Sequence, residues 1–246
     1  DDEFYSMFDY EVLEWELLSN VPYGTQLLRF KWECCVKNDG RFKSRLCARG
    51  DLQEIPPGTN HYAPSSHTPN VRLCMAHSVC RGIKVKSLDV SSAFLQSKLK
   101  QNEQLYFYPP PGYEDIKPGY VLRLKKNIYG LASAPRTWWL EFKAHLESYG
   151  LESLESDECT FIYSNHDKTK TKLICELHVD DLLMTGTDKE INKLITYVKS
   201  CYGIRVCEDP EDFVGIQFKF DSMGGVKLHA ERYITTVAEK FLPTIF

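Results

Sequence analysis

Two adjacent carboxylates, Asp180 and Asp181, stand in the run Leu177-His178-Val179-Asp180-Asp181-Leu182-Leu183, between two apolar stretches. Leu173 to Val179 alternates, with Leu173, Cys175, Leu177 and Val179 on one face and Ile174, Glu176 and His178 on the other. Leu182 to Thr185 suits a hairpin partner, which places the doublet on a tight turn between buried strands. Carboxylates in such a place cost stability unless cations neutralise them. Taken by itself, the doublet is read most plainly as a solvated acidic turn. Asp89 alters that reading. It lies at the polar end of Lys86-Ser87-Leu88-Asp89-Val90, within a strand-like segment from Ile83 to Val90. One strand-end aspartate with a hairpin doublet is a pattern that holds two divalent cations for in-line phosphoryl transfer. One ion lowers the pKa of an attacking 3′-hydroxyl and the other stabilises a triphosphate leaving group.

The elements that must position these groups are legible in outline. Residues 1 to 22 are acidic with spaced aromatics and suggest a helix that exits at Pro22. Gln26 to Val36 and Arg41 to Arg49 read as strands around the hairpin signal Lys37-Asn38-Asp39-Gly40. On the second strand Lys43 and Arg45 share a face with Arg41 in line, a basic stripe for solvent or for an anion. Residues 50 to 67 read as a long loop. A helix begins near Thr68, with Pro69 in its first turn, and ends at Gly82. Pro109-Pro110-Pro111-Gly112 makes Tyr106 to Gly119 a rigid loop. Ser133, Pro135 and Gly150 frame a helix with Trp139, Phe142, Leu146 and Tyr149 as its apolar stripe. Thr187-Asp188-Lys189-Glu190 is a capping box opening a helix that runs to Gly203. Short strands at Phe213 to Phe220 and Val226 to Leu228, then a last helix carrying Tyr233, Ile234, Val237 and Phe241, complete an α+β order.

Composition narrows the function classes. At 246 residues the chain holds one large domain or two modest ones, and 30 basic against 34 acidic residues give a net charge of −4. That balance weighs against bulk attraction to nucleic acid, so any polynucleotide contact must rest on local basic clusters. Nine cysteines without a CxxC pair point to reduced thiols in a cytosolic or nuclear protein. No run approaches the roughly 18 to 20 apolar residues of a membrane span, and no secretory signal opens the chain.

Several segments, in order, resemble copia-type (Pseudoviridae) LTR-retrotransposon reverse transcriptases. Leu88-Asp89-Val90-Ser91-Ser92-Ala93-Phe94-Leu95 is similar to their first palm motif, and Tyr106 to Tyr113 to the segment after it. Ile128-Tyr129-Gly130-Leu131-Ala132-Ser133-Ala134-Pro135-Arg136-Thr137-Trp138-Trp139 resembles the YGLKQAPRxWY motif, and His178 to Gly186 the YVDD motif and its tail. Arg41 to Gly50, Phe213 to Ile216 and Leu228 to Tyr233 resemble a fingers segment, an FLGI element and an LxQxxYI stretch. Three departures stand out: Ser133 where the family has Gln, His178 where it has Tyr, and Ser91-Ser92 where it has Lys-Thr.

The resemblance implies a right-hand polymerase fold with an antiparallel palm sheet backed by helices and most of the thumb absent. Its subdomains would be fingers at 1–82, palm at 83–105, a connecting segment at 106–132, palm again at 133–228, and the start of a thumb at 229–246. It implies that Asp89, Asp180 and Asp181 are catalytic, and that with Val90 they hold two Mg²⁺ ions, for which Mn²⁺ could substitute. Lys43, Arg45, Phe94 and Ser133 would bind the nucleotide, with Phe94 a steric gate against ribose. Arg41, His178, Val179 and Gly215 would contact primer and template. The implied partners are an RNA template, a DNA primer, dNTP and the RNase H and integrase parts of a polyprotein. The implied place is a cytoplasmic virus-like particle or the nucleus. The competing reading is a domesticated fragment kept as a structural or RNA-binding subunit of a larger assembly.

Overall fold

A computed structural model describes residues 2–36, 40–100, 103–167 and 170–242. The expected turn at Lys37, Asn38 and Asp39 lies outside the described residues. The chain begins with α1 (Asp2–Asp9), β1 (Leu13–Leu17), β2 (Leu27–Leu28), β3 (Phe30–Val36) and β4 (Phe42–Ala48). It continues with α2 (Thr68–Arg81), β5 (Lys84–Val90), α3 (Ala93–Gln96), β6 (Tyr106–Phe107), β7 (Tyr120–Leu124) and α4 (Ala134–Tyr149). Next come β8 (Glu152–Ser153), β9 (Thr160–Ser164), β10 (Thr171–His178), β11 (Asp181–Gly186) and α5 (Asp188–Lys199). It ends with β12 (Ile204–Cys207), β13 (Asp212–Phe213), β14 (Ile216–Phe220), β15 (Val226–His229) and α6 (Glu231–Phe241).

These elements form two compact units, Asp1–Ala63 with Ser92–Phe142, and Pro64–Ser91 with Lys143–Phe246. Each unit draws on separated stretches of the chain. Residues 64–82 belong to the second unit because α2 lays Val71, Cys74 and Met75 on Val85 of β5 and Leu183 of β11. Residues 92–105 belong to the first unit, where Leu95 enters the core with Phe107, Leu122 and Ile128.

In the first unit a four-stranded sheet has the order β1-β7-β6-β2. The single N-terminal helix expected from spaced aromatics is instead a short helix and a strand. Glu11 takes φ 54, which ends helical geometry, and Leu13-Glu14-Trp15-Glu16-Leu17 alternates with the period of a strand. Leu13 then pairs opposite Leu124 in β7. Tyr106 and Phe107 are a strand rather than part of the loop, and Phe107 stacks on Phe30 with centroids 4.4 Å apart. The β3–β4 hairpin is buried at Leu46 and Ala48 but exposed at its outer end, where Phe42 is 89% accessible.

Backbone contact pins the Ile128 to Leu131 turn against the end of β4. Ala48 N donates to Tyr129 O at 2.7 Å. A Cβ at Gly130 would lie 2.2 Å from Ala48 O, and one at Gly50 would lie 2.0 Å from Gly130 O. Gly130 also has φ +87, so both its conformation and its surroundings demand a residue without a side chain.

In the second unit the sheet order is β12-β5-β11-β10-β9-β8. Val85 faces α2, so its neighbour Lys86 points to the opposite face. There its Nζ lies 3.1 Å from Asn192 Oδ1 and 3.2 Å from Asp188 Oδ1, both on α5. Helices thus cover both faces of the central strands. Leu182 to Thr185 are accordingly all buried, without the alternation of a half-exposed strand. The end signals hold: Pro69 lies in the first turn of α2, Gly82 closes it at φ 59, and Thr187 Oγ1 accepts from Glu190 N at 3.4 Å.

Replacing Gly130 by Ala must strain the backbone and push two chain segments apart. We expect Gly130→Ala to destabilise the protein by at least about 2 kcal/mol, read from the urea midpoint. A midpoint within experimental error of the parent would show that the turn can move away from β4.

Candidate active site

β10 and β11 pair as a hairpin with His178 opposite Asp181, leaving Val179 and Asp180 as its two loop residues. Val179 has φ 56 while Asp180 does not share the positive φ, the pattern of a type II′ turn, whose first position ordinarily belongs to glycine. A β-branched residue there is strained, and it is held by the strands on either side. The turn is also tied to β5, because Val90 N donates to Asp180 O at 2.8 Å.

Register then builds a row of side chains across four strands. Asp181 stands directly opposite Asp89 of β5, and Arg205 of β12 stands opposite Asp89 on its other side. His178, Asp181, Asp89 and Arg205 therefore share one face, with neighbouring Cβ atoms about 4.5–5.5 Å apart. Arg205 Nη2 donates to Asp89 Oδ2 at 3.0 Å. Asp181 is half-buried and its pKa is pushed up to about 6. Burial is the chief cause, followed by the charges of Asp180, Asp89 and Asp212, with Arg205 pulling the other way. Burial also pulls the His178 imidazole down, against the charge of Asp180. Its ring meets Phe213 edge-on at 6.4 Å.

β13 and β14 form a second two-residue hairpin, with Phe213 opposite Ile216. Val214 at φ 51 and Gly215 at φ 76 are both left-handed, the type I′ pattern, and here too a valine occupies a strained first position.

The donor set suits a hard divalent cation. It offers carboxylate oxygens of like charge, and burial first, then their mutual repulsion, holds Asp181 toward its protonated form. The groups are neighbours rather than a closed shell: among the described residues no three His, Cys, Asp or Glu side chains stand at ligating spacing. Val90 is buried, so it could contribute only its carbonyl oxygen.

The other flagged residues belong to the first unit. The Arg45 guanidinium lies 4.8 Å over the Tyr129 ring, whose edge contact with Phe94 is 5.1 Å between centroids. Lys43 is two residues away on β4 and Arg41 immediately precedes that strand. Ser133 is 2% exposed and its hydroxyl has no hydrogen-bond partner among the described residues, so it presents nothing to solvent. Three members of these clusters went unflagged in the sequence: Arg205, Asp212 and Tyr129. Only Tyr129 had a local signal, the Tyr-Gly dipeptide whose glycine the β4 contact requires.

A sequence profile described as reverse transcriptase (RNA-dependent DNA polymerase) matches residues 13–244. The chain belongs to the reverse transcriptase family. It is 31% identical over 229 residues to the retrovirus-related Pol polyprotein from transposon RE2 of Arabidopsis thaliana, covering 89% of this chain. The Pol polyprotein from transposon TNT 1-94 of Nicotiana tabacum is 29% identical over 239 residues, covering 91% of this chain. The chain spans 15% of the RE2 polyprotein and 17% of the TNT 1-94 polyprotein. Among solved structures, the foamy viral protease-reverse transcriptase in complex with double-stranded DNA aligns with a TM-score of 0.50 at 12% identity. That alignment covers 93% of this chain and 34% of the other. The right-hand polymerase fold follows from this likeness. No helix among the described residues is long and apolar enough to cross a membrane.

Within this reverse transcriptase chain Asp89 and Asp181 lie on one sheet of the second unit, and the β10–β11 turn that carries Asp180 stores strain at Val179. Asparagine tolerates positive φ, and Val179 is exposed, so little burial is lost on replacing it. Val179→Asn is expected to raise unfolding stability by about 1 kcal/mol in a denaturant titration. A loss of stability would mean that the valine side chain, not the turn geometry, holds the hairpin.

Proposed function

We propose that this chain is the fingers-and-palm part of an RNA- and DNA-directed DNA polymerase, transferring nucleotides from dNTP to a primer 3′-hydroxyl. The observation that carries the reading is the cross-strand pair Asp89–Asp181 beside the turn residue Asp180, in a chain of the reverse transcriptase family. Asp89, Asp180 and Asp181, with the Val90 carbonyl, would hold two Mg²⁺ or Mn²⁺ ions. When bound, such ions supply activation of the attacking hydroxyl and stabilisation of the leaving pyrophosphate.

The remaining roles belong to the protein's own side chains. Lys43 and Arg45 take triphosphate oxygens, Arg45 with its plane fixed by Tyr129. Phe94, buttressed by the same tyrosine, closes the space that a ribose 2′-hydroxyl needs. His178, Val179, Gly215 and Arg41 contact primer and template. Ser133, with its hydroxyl buried, takes part in nucleotide binding through packing alone. Residues 229–246 begin a thumb. The natural setting is a retrotransposon polyprotein, with RNase H and integrase parts, in a cytoplasmic virus-like particle or the nucleus.

The deciding experiment is primer extension by the purified chain on RNA and DNA templates with Mg²⁺, at low salt because phosphate contacts weaken steeply as salt rises. Asp180→Asn is expected to lower the rate by roughly a thousandfold. Lys43→Ala and Arg45→Ala are expected to raise KM for dNTP more than they weaken template binding. No extension with Mg²⁺ or Mn²⁺ by a folded chain would transfer the assignment to a non-catalytic subunit.

Ribose exclusion is a separate expectation. Phe94→Ala should admit ribonucleotides that the parent rejects, while dNTP use falls much less, because the discrimination comes from a clash and not from a lost attraction. Unchanged sugar selectivity in competition assays would demote Phe94 to a packing residue beside Tyr129.

A further inference from the structure

Arg205 lies on β12, the edge strand of the second unit's sheet, and register alone brings it to Asp89. Ile204 stands opposite Val90 and Arg205 opposite Asp89, so the guanidinium is delivered to the face that carries Asp181. Its Nη2 donates to Asp89 Oδ2 at 3.0 Å. Among the described residues it is the cation paired with Asp89.

Resting on the polymerase reading, we infer that Arg205 is a built-in counterion of the metal-free site, which must release Asp89 Oδ2 before a divalent cation can take that oxygen. Without Arg205, Asp89 and Asp181 would face each other across neighbouring strands with no positive charge beside them, an unfavourable pairing. With it, a metal ion approaching Oδ2 meets a positive charge already in place. The geometry also lets the lock yield. The Arg205 side chain is 80% exposed and that of Asp89 33%, so the ion pair is weak and the long arginine can swing into water. A charged residue on the next strand, rather than beside Asp89 in the chain, therefore tunes how tightly the carboxylates take metal.

The test is Mn²⁺ titration of the purified chain, following the free-ion signal by electron paramagnetic resonance. Parent, Arg205→Gln, Arg205→Lys, Asp89→Asn and the Arg205→Gln/Asp89→Asn double variant are compared. Arg205→Gln is expected to tighten Mn²⁺ binding by roughly two- to fivefold, the range an exposed ion pair can supply. Arg205→Lys should fall between the two, since a lysine keeps the charge but not the planar fork. In the Asp89→Asn background the Arg205 substitution should make no difference. Melting curves give a second readout: metal-free Arg205→Gln should melt below the parent, and Mn²⁺ should raise its melting temperature by more. Mn²⁺ binding by Arg205→Gln equal to or weaker than the parent's, with Asp89→Asn still abolishing it, overturns the counterion alone. Absence of any Asp89-dependent Mn²⁺ binding overturns the counterion and the polymerase reading together.

Discussion

Like charges directly opposite each other on neighbouring strands repel, and Asp89 and Asp181 are held in that position by the register of the central sheet. Burial chiefly, and then the neighbouring carboxylates, raise the Asp181 pKa, and Arg205 at Asp89 relieves only part of the repulsion. It is borne by the packing beneath. Strands β5 and β11 are covered on one face by α2 and carry Lys86 toward α5 on the other, so a slip by one residue would turn Lys86 into the apolar contacts of α2. The two left-handed valines belong to the same arrangement. Val179 and Val214 each occupy the first position of a two-residue turn, and the flanking strands fix those turns where glycine would have been easier. The burial of the sheet thus sustains strain and charge at its edge.

The first unit relies on a different constraint, the close approach of two backbone segments. Gly130 and Gly50 let the Ile128 to Leu131 turn touch the end of β4, and the hydrogen bond from Ala48 N to Tyr129 O fixes the approach. Tyr129 is thereby presented to Arg45 on one side and Phe94 on the other. A basic residue and an aromatic one, distant in sequence, are organised by a single ring whose position depends on a glycine.

What was legible in the sequence was local. The acidic doublet, the strand ending near Asp89, the Pro69 and Gly82 ends of α2 and the Thr187 cap all rest on signals within a few residues, and each element stands where those signals put it. The alternation in β1 was equally local but was outweighed by the spaced aromatics before it. Arg205 was not legible, because its meeting with Asp89 spans 116 residues of chain and depends on which strand lies at the sheet edge. The burial of Ser133 was hidden for a related reason: it depends on the core its turn enters, not on its neighbours in sequence.

Neither unit is a continuous stretch of chain. The first is closed by β1 pairing with β7, and the Lys125–Glu14 contact beside that pairing joins residues 111 apart. The second begins at Pro64, is interrupted, and resumes at Lys143. During synthesis the first sheet cannot close until β7 has left the ribosome, and the central strand β5 must wait for β11. Such long-range closure slows folding and leaves unpaired strand edges exposed in the meantime. A chain cut between these points would yield no half-protein, only polypeptide without a finished sheet.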